Sequence, residues 1–503
     1  MINYVSTRNT NIKVSSSKAI LDGQAEGGGL YVPADLEAIK LDYHDVIKGN
    51  DFRSMAKVVW NAFFDDYGCD KIDELVEVSY KNKFGAEEIT PLVKASSSKA
   101  DAYVLELYHG PTSAFKDVAL SALPNLLTAA REMNDFKDDI MILTATSGDT
   151  GSAAIAGFSD VPGTSITVFF PHGGVSDTQR LQMVTAKGAN VTACAIRGNF
   201  DDAQTGVKKI FREIPKPADG VSLSSANSIN IGRLVPQVVY YFSAYSQLLE
   251  KGAIKDGDKV DYVVPTGNFG DIMAGWFALK MGLPIGRLIC ASNKNDVLTE
   301  FLNTGHYDRK REFYKTTSPS MDILVSSNLE RLLFYICGPE HTVEYMKQLE
   351  TTGEYQITDD ELFEMQKVFT GIYASDEEGA AAIKGVFDAD HYLMDTHTSI
   401  AWACMEKFKS GDAPSFTVPF GSGAKATVVL STASPYKFSA AVLEALGEEL
   451  TGSDEGNMNK VKEITGAPVP AGLAGIFSRP VLHNDVIEAS EMREYVIEKS
   501  KRG

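Results

Sequence analysis

Cysteine is scarce in this 503-residue chain, and the five present (Cys69, Cys194, Cys290, Cys337 and Cys404) form no CxxC pair. That spacing suggests neither a disulfide framework nor a structural zinc site, and each reads as a buried thiol. Histidine is sparse at eight and no HExxH occurs; His397 in DTHTS stands alone as a packing or turn contact, so no metal site is expected. Basic residues are outnumbered, since 48 Lys and Arg against 67 Asp and Glu leave a net charge of −19. Nucleic acid and anionic membranes are therefore poor partners, and an anionic small substrate needs a locally basic pocket. No run approaches the ~18 apolar residues of a membrane span. The segment MINYVSTRNTNIKVSSSK lacks the apolar core of a secretory signal, and the expected location is cytoplasmic. A Walker GK[ST], a full GxGxxG, internal repeats and low-complexity tracts are also missing.

What is there is an ordinary globular composition, 44% hydrophobic and 23% charged, long enough for two or three domains. Residues 1–95 carry mixed helical patterns such as DFRSMAKVVWNAFF and the turn-rich AEGGGLYVP, which suits an N-terminal cap. From 96 to 300 short β-branched runs alternate with helical stretches: IMILTAT and GSAAIAGF, SITVFFP and DTQRLQMVTA, NVTACAI and DDAQTGVKKIFREI, DYVVP and IMAGWFALKMG. Such alternation predicts βα units on a parallel sheet, hence an α/β core. Residues 301–410 read as a mainly helical, acidic accessory region. Residues 411–503 return to the core with a strand pair, FTVPFGSG and TVVLSTAS, followed by terminal helices.

Open parallel sheets bind ligands beyond the carboxyl ends of their strands, so the loops there are the places to look for chemistry. In ELYHGPTSAFKD, Lys116 follows a Gly-Pro turn at a helix start, where the dipole favours a neutral amine; a surface lysine at a helix start fits the same spacing. TGNFGD (266–271) offers glycine-exposed N–H groups and a helix N-terminus to a phosphate, or is an ordinary βα turn. TATSGDTGSAA sets Ser147, Asp149, Thr150 and Ser152 at another helix start, as anion contacts or as caps. ANSINIGR holds Asn227, Asn230 and Arg233, which can clamp a phosphate or carboxylate, or serve as a cap and a surface arginine. In STASPYKF, Thr432 or Ser434 can meet a heterocycle nitrogen.

In this order, and together with YVSTR, GGLYVP, FFPHGGVSDTQRLQM, FDDAQ and SSNLERLLF, these segments resemble the threonine synthase family of pyridoxal 5′-phosphate (PLP) enzymes. The length and SSNLERLLF resemble its bacterial and fungal branch more than the plant branch. The resemblance implies fold type II, similar to the tryptophan synthase β subunit, with PLP as cofactor and a small mobile βα subdomain near 120–190. By it Lys116 would hold PLP as a Schiff base. Gly267, Asn268, Phe269, Gly270 and Asp271 would bind the cofactor phosphate, and Thr432 would meet the pyridine nitrogen. Ser147, Asp149, Thr150, Asn227, Asn230 and Arg233 would face the substrate. Three positions depart from the family's usual residues: Gly27 for Asp, Ser113 for Leu and Ser434 for His.

The implied reaction converts O-phospho-L-homoserine and water into L-threonine and phosphate, the last step of threonine biosynthesis, with Lys116 as general base and later acid. Closure of a small domain over the sheet domain is expected to exclude stray water. A monomer or weak dimer is expected. The alternatives are a serine/threonine dehydratase or phospho-amino-acid lyase on the same fold, and a non-catalytic homologue that binds phosphate ligands.

Overall fold

A computed structural model of the chain describes residues 2–86, 88–412 and 422–501. Its strands are short apolar runs buried on both faces, as in Val260–Pro265, where all six residues are buried. That pattern belongs to parallel sheets covered by helices. The βα units predicted for one sheet divide between two. A six-stranded sheet runs in the order Phe369–Tyr373, Ile285–Ser292, Val260–Pro265, Ala426–Ser431, Asp101–Glu106, Leu92–Ser96, parallel except for the last pair. A five-stranded, fully parallel sheet runs Val486–Glu488, Val191–Arg197, Thr164–Pro171, Asp139–Ala145, Val221–Ser224. The N-terminal region adds a small antiparallel sheet, Asn9–Val14, Tyr4–Ser6 and Tyr31–Pro33. Gly27 and Gly28, at φ 81° and 91°, make the reversal expected in AEGGGLYVP.

Residues 301–410 are rich in helix, including Leu329–Thr351, Asp376–Asp390 and Thr396–Ser410, yet they are built into the core. Phe369–Tyr373 pairs in parallel with Ile285–Ser292 as an edge strand. Helix Thr396–Ser410 buries Ile400 and Trp402 in the cluster that holds Val263, Ile289 and Val429 of the sheet. FTGIY escapes a pattern reading because its five residues sit between two helical stretches and carry a glycine. Of the strand pair expected near the C-terminus, TVVLS is the strand Ala426–Ser431, and residues 416–421 of its partner lie outside the described residues.

Helix Lys116–Met133 packs against Asp149–Phe158 from the five-stranded sheet and against Ile231–Glu250. Pro124 lies inside it and has no N–H to give the Leu120 carbonyl four residues back. That carbonyl projects at Gly157 of the neighbouring helix, where a Cβ would stand 2.1 Å from Leu120 O. Gly157 therefore sets how closely the two helices approach.

Gly157→Ala should destabilise the protein by about 1–3 kcal/mol through overpacking. Gly385→Ala, also in a helix but with no atom within 4 Å of its would-be Cβ, should stabilise it by about 0.5–1 kcal/mol. Urea unfolding of both variants checks the pair, and shifts of the same sign would contradict this packing account.

Candidate active site

The carboxyl ends of both parallel sheets open on one cavity of about 1190 Å³. Ala145 and Ser224 reach it from the five-stranded sheet, and Pro265 and Thr432 from the end of the six-stranded sheet. Asp22–Gln24 with Gly27 and Gly28 close one wall, and Gln204, Lys208 and Arg212 form part of another.

Lys116 is aimed into this cavity by the loop before it. Asp117 accepts hydrogen bonds from Thr112 N (2.8 Å), Thr112 Oγ1 (2.5 Å) and Ala114 N (3.4 Å). Gly110 is required there, because a Cβ would come within 2.4 Å of the Asp117 Cβ. Ser113 adopts φ 60°, and the loop is laced to 432–434: Phe115 N donates to Thr432 O (2.8 Å) and Ser434 N to Ser113 O (3.1 Å). Lys116 and Thr432 are thus fixed side by side. Ser434 caps the turn Pro435–Phe438 through Tyr436 N, a structural use of its hydroxyl.

The Lys116 amine lies 3.2 Å from Ser320 Oγ and 3.7 Å from Asp149 Oδ2. Burial lowers its pKa; Asp149 works against that, and Lys437 and Arg233 reinforce it. The amine is therefore closer to neutral than a solvated lysine, as a nucleophile or base requires. Asp149 starts helix Asp149–Phe158 and is almost fully buried, 2.7 Å from Lys437 Nζ and 3.1 Å from Gln179 Nε2. Burial works to raise its carboxyl, but the two ammonium groups outweigh it and hold the group well below the usual carboxylate range.

Gly267–Asp271 turn from strand to helix, with Phe269 at φ 60° just before helix Gly270–Lys280. The first N–H groups of a helix have no internal partner and can hold an anion. A Cβ on Gly270 would meet nothing closer than 3.5 Å, so the backbone there is open, whereas on Gly267 it would strike Ser320 O at 2.6 Å. The Asp271 side chain accepts from Tyr241 OH at 3.1 Å, its Oδ2 has no partner, and burial pushes its pKa up to about 7. Asn328 braces the turn, donating from Nδ2 to Asn268 O (2.9 Å) and Ser228 Oγ (3.3 Å). Arg331 is completely buried and holds Asn328 Oδ1, Ile229 O and Tyr31 O, joining this turn, the ANSINIGR loop and the N-terminal sheet. Neighbouring Glu330 accepts from Thr7 Oγ1 (2.6 Å) and Arg8 Nε (2.9 Å).

Lys116, Gly267–Asp271, Thr432, Thr150, Asn227, Asn230 and Arg233 all line the cavity. Arg233 is buried, gives one N–H to Ala226 O, and keeps a buried Nε with no partner among the described residues; burial lowers its pKa to about 10. A buried cation with an unused donor fits an incoming anion. Asn230 has both ends of its amide engaged, Oδ1 by Gly232 N and Nδ2 by Ile20 O, each at 2.9 Å. Ser147 is exposed and is not among the lining residues. Reasoning from sequence missed Ser320, Lys437 and Asn328. Lys437 and Asn328 lie inside segments already singled out, STASPYKF and SSNLERLLF, but nothing in their spacing marks them. His397 was set aside as a packing or turn contact, and it lines the cavity.

The chain matches the family described as "Pyridoxal-phosphate dependent enzyme" over residues 84–415, "Threonine synthase N terminus" over 3–80 and "Threonine synthase, C-terminal" over 420–496. It is 36% identical to the threonine synthase of Pseudomonas aeruginosa, covering 99% of each chain. The chain belongs to the threonine synthase family. It is also 35% identical to human "Threonine synthase-like 1" over 98% of its own length, and there it spans only 65% of the longer relative. A crystal structure of PLP-bound threonine synthase from Brucella melitensis superposes with a TM-score of 0.86 at 35% identity, over the whole of both chains. Membership of this family brings PLP as cofactor and the fold type II architecture. The residues present suit the group: a partly neutral buried lysine for an aldehyde, and an open glycine turn at a helix start for a phosphate.

Lys437→Met leaves the buried Asp149 without its nearer partner and should cost about 3–5 kcal/mol. Because the folded Asp149 pKa is depressed, its stabilising contribution is present above the unfolded carboxyl value of about 3.9 and is lost as pH falls through the folded value. In the variant burial is less opposed and the unpaired carboxyl is relieved by protonation, so the loss of stability should be largest at neutral pH and the gap to the parent should narrow as pH falls, which circular dichroism along a pH series measures.

Proposed function

We propose that this chain is a threonine synthase, converting O-phospho-L-homoserine and water into L-threonine and phosphate. The observation that carries the reading is a single cavity holding a buried lysine amine and two separate anion positions, the Gly267–Asp271 turn and the Arg233 guanidinium with its unused Nε. One anion position suits a cofactor phosphate, and the second suits a phosphorylated substrate. In a protein of net charge −19 such a cationic pocket is a local construction.

When bound, the cofactor supplies a conjugated ring that accepts the electron pair left at a substrate carbon. Lys116 Nζ, kept toward its neutral form by burial, takes the proton from Cα and then serves at Cβ, and as an ammonium it can return one. Arg233 and Asn227 hold the phosphate on Cγ so that it departs as the Cγ–O bond breaks, and a guanidinium is suited to the charge that gathers there. A proton then goes to Cγ, water adds its oxygen at Cβ and gives up a proton, and the ammonium of Lys116 returns a proton to Cα, completing the exchange of phosphate for hydroxyl. Asn230, locked to Ile20 and Gly232, holds the loop that carries Asn227 and Arg233 rather than the substrate. Approach of the two sheets over the cavity keeps stray water from diverting the reaction to a keto acid.

The purified protein loaded with PLP should release phosphate and threonine in equal amounts from O-phospho-L-homoserine. Lys116→Ala should lower turnover by about 10²–10⁴-fold, the range for losing a general acid–base group. Keto acid and ammonia in place of threonine would assign the chain to the dehydratases. Wild-type threonine production by Lys116→Ala would overturn the role of the lysine.

A further inference from the structure

Ser320 belongs to none of the motifs above, yet its hydroxyl is the nearest hydrogen-bond partner of the Lys116 amine, at 3.2 Å, and stands 3.4 Å from Asp149 Oδ2. Its backbone N–H donates to His397 Nε2 at 3.1 Å. Nε2 therefore accepts, the ring proton sits on Nδ1, and Asp395 Oδ1 receives it at 2.8 Å. Asp395 is fully buried as the cap of helix Thr396–Ser410, and His397 is 1% exposed, edge-on to Phe438 at 4.9 Å. The far side of the Ser320 segment is pinned as well. Thr396 Oγ1 donates to Thr317 O (2.7 Å), and Asp322 Oδ1 accepts from Thr316, Asn293 and Asn295 at 2.7, 2.8 and 2.9 Å.

The charged groups around Lys116 are Asp149, Lys437 and Arg233; those around His397 are Asp395 and Asp149. Asp149 can only accept, so it attracts the charged ammonium strongly and the neutral amine only weakly. A hydroxyl accepts from the ammonium and donates to the amine, and so can keep the side chain in place in both states. We propose that Ser320 is a positioning residue for Lys116, orienting its amine in both protonation states, and that the Asp395–His397 pair holds Ser320 there. The inference rests on the reading of Lys116 as the base in the proposed reaction.

The test uses the full-length, PLP-loaded protein with Ser320→Ala, Ser320→Thr, His397→Ala and His397→Gln, the Gln amide oxygen being able to replace Nε2 as acceptor. Ser320→Ala should lower kcat by about 10–100-fold, as for an ångström-scale misplacement, with KM changed less than about threefold. The pH midpoint of the bound cofactor's absorbance should shift in both Ala variants and return toward the parent in Ser320→Thr and His397→Gln. Parental kcat and midpoint in Ser320→Ala would overturn the proposal. So would a His397→Ala defect that appears only as a lower unfolding temperature, with kcat and midpoint unchanged at permissive temperature. If the parent protein makes no threonine the proposed reaction fails, while the absorbance titration still decides the place of Ser320.

Discussion

A buried carboxylate shared by two ammonium groups joins the two large sheets of this protein behind the lysine that lines its cavity. Asp149 begins a helix of the five-stranded sheet, and Lys437 follows the strand Ala426–Ser431 of the six-stranded sheet. Their 2.7 Å contact crosses the seam, and Lys116 lies 3.7 Å from the same carboxylate. Burying three charges is expensive unless their remaining hydrogen-bonding capacity is met. Gln179 Nε2 gives Asp149 a further donor, and Lys437 Nζ gives a hydrogen to Thr112 O at 3.0 Å. Thr112 O also accepts from Gln182 Nε2 at 2.9 Å, so the loop that aims Lys116 is held from both sides of the seam.

This arrangement sets the lysine's chemistry through opposing effects. Burial, Lys437 and Arg233 favour the neutral amine, and Asp149 favours the ammonium. Because Asp149 sits an ångström closer to Lys437 than to Lys116, it stabilises the ammonium of Lys116 less than an exclusive pair would. An amine that must gain and lose a proton needs both forms within reach. The position of Asp149 also explains why a Ser/Asp/Thr-rich helix start could be read as a substrate contact: one carboxylate in it is charged and central, but its partners are the protein's own lysines.

The parts legible in the sequence are those that a local pattern dictates. TGNFGD, LYHGPTSAFKD and ANSINIGR each mark a turn and a helix start where a ligand could sit, a reading that spacing left open against caps and surface residues, and each does stand at the cavity. The two-sheet division was not legible, since βα units of either sheet have the same alternation and only strand order separates them. Phe369–Tyr373 was lost between two helices, and Ser320 sits in a stretch without periodicity whose place is set by distant residues, Asn293 and Asn295 through Asp322 and His397 through the Ser320 N–H. Contacts of that kind leave no spacing signal. Asn230 shows the reverse case: its amide type suits a phosphate, but capping Gly232 and tying Ile20 use both of its ends.

The charge of the cavity completes the account. Lys116 and Arg233 line it, Lys116 and Lys437 hold the Asp149 carboxyl well below the usual range, and Asp271 at the glycine turn has its pKa pushed to about 7 by burial. Among the described residues its side chain accepts from the Tyr241 hydroxyl, and Oδ2 has no donor. A negative group arriving at the N-terminus of helix Gly270–Lys280 acts on that carboxyl as a like charge and raises it further, toward the protonated form. The cationic groups are thus gathered at one place in a protein that otherwise carries an excess of acid.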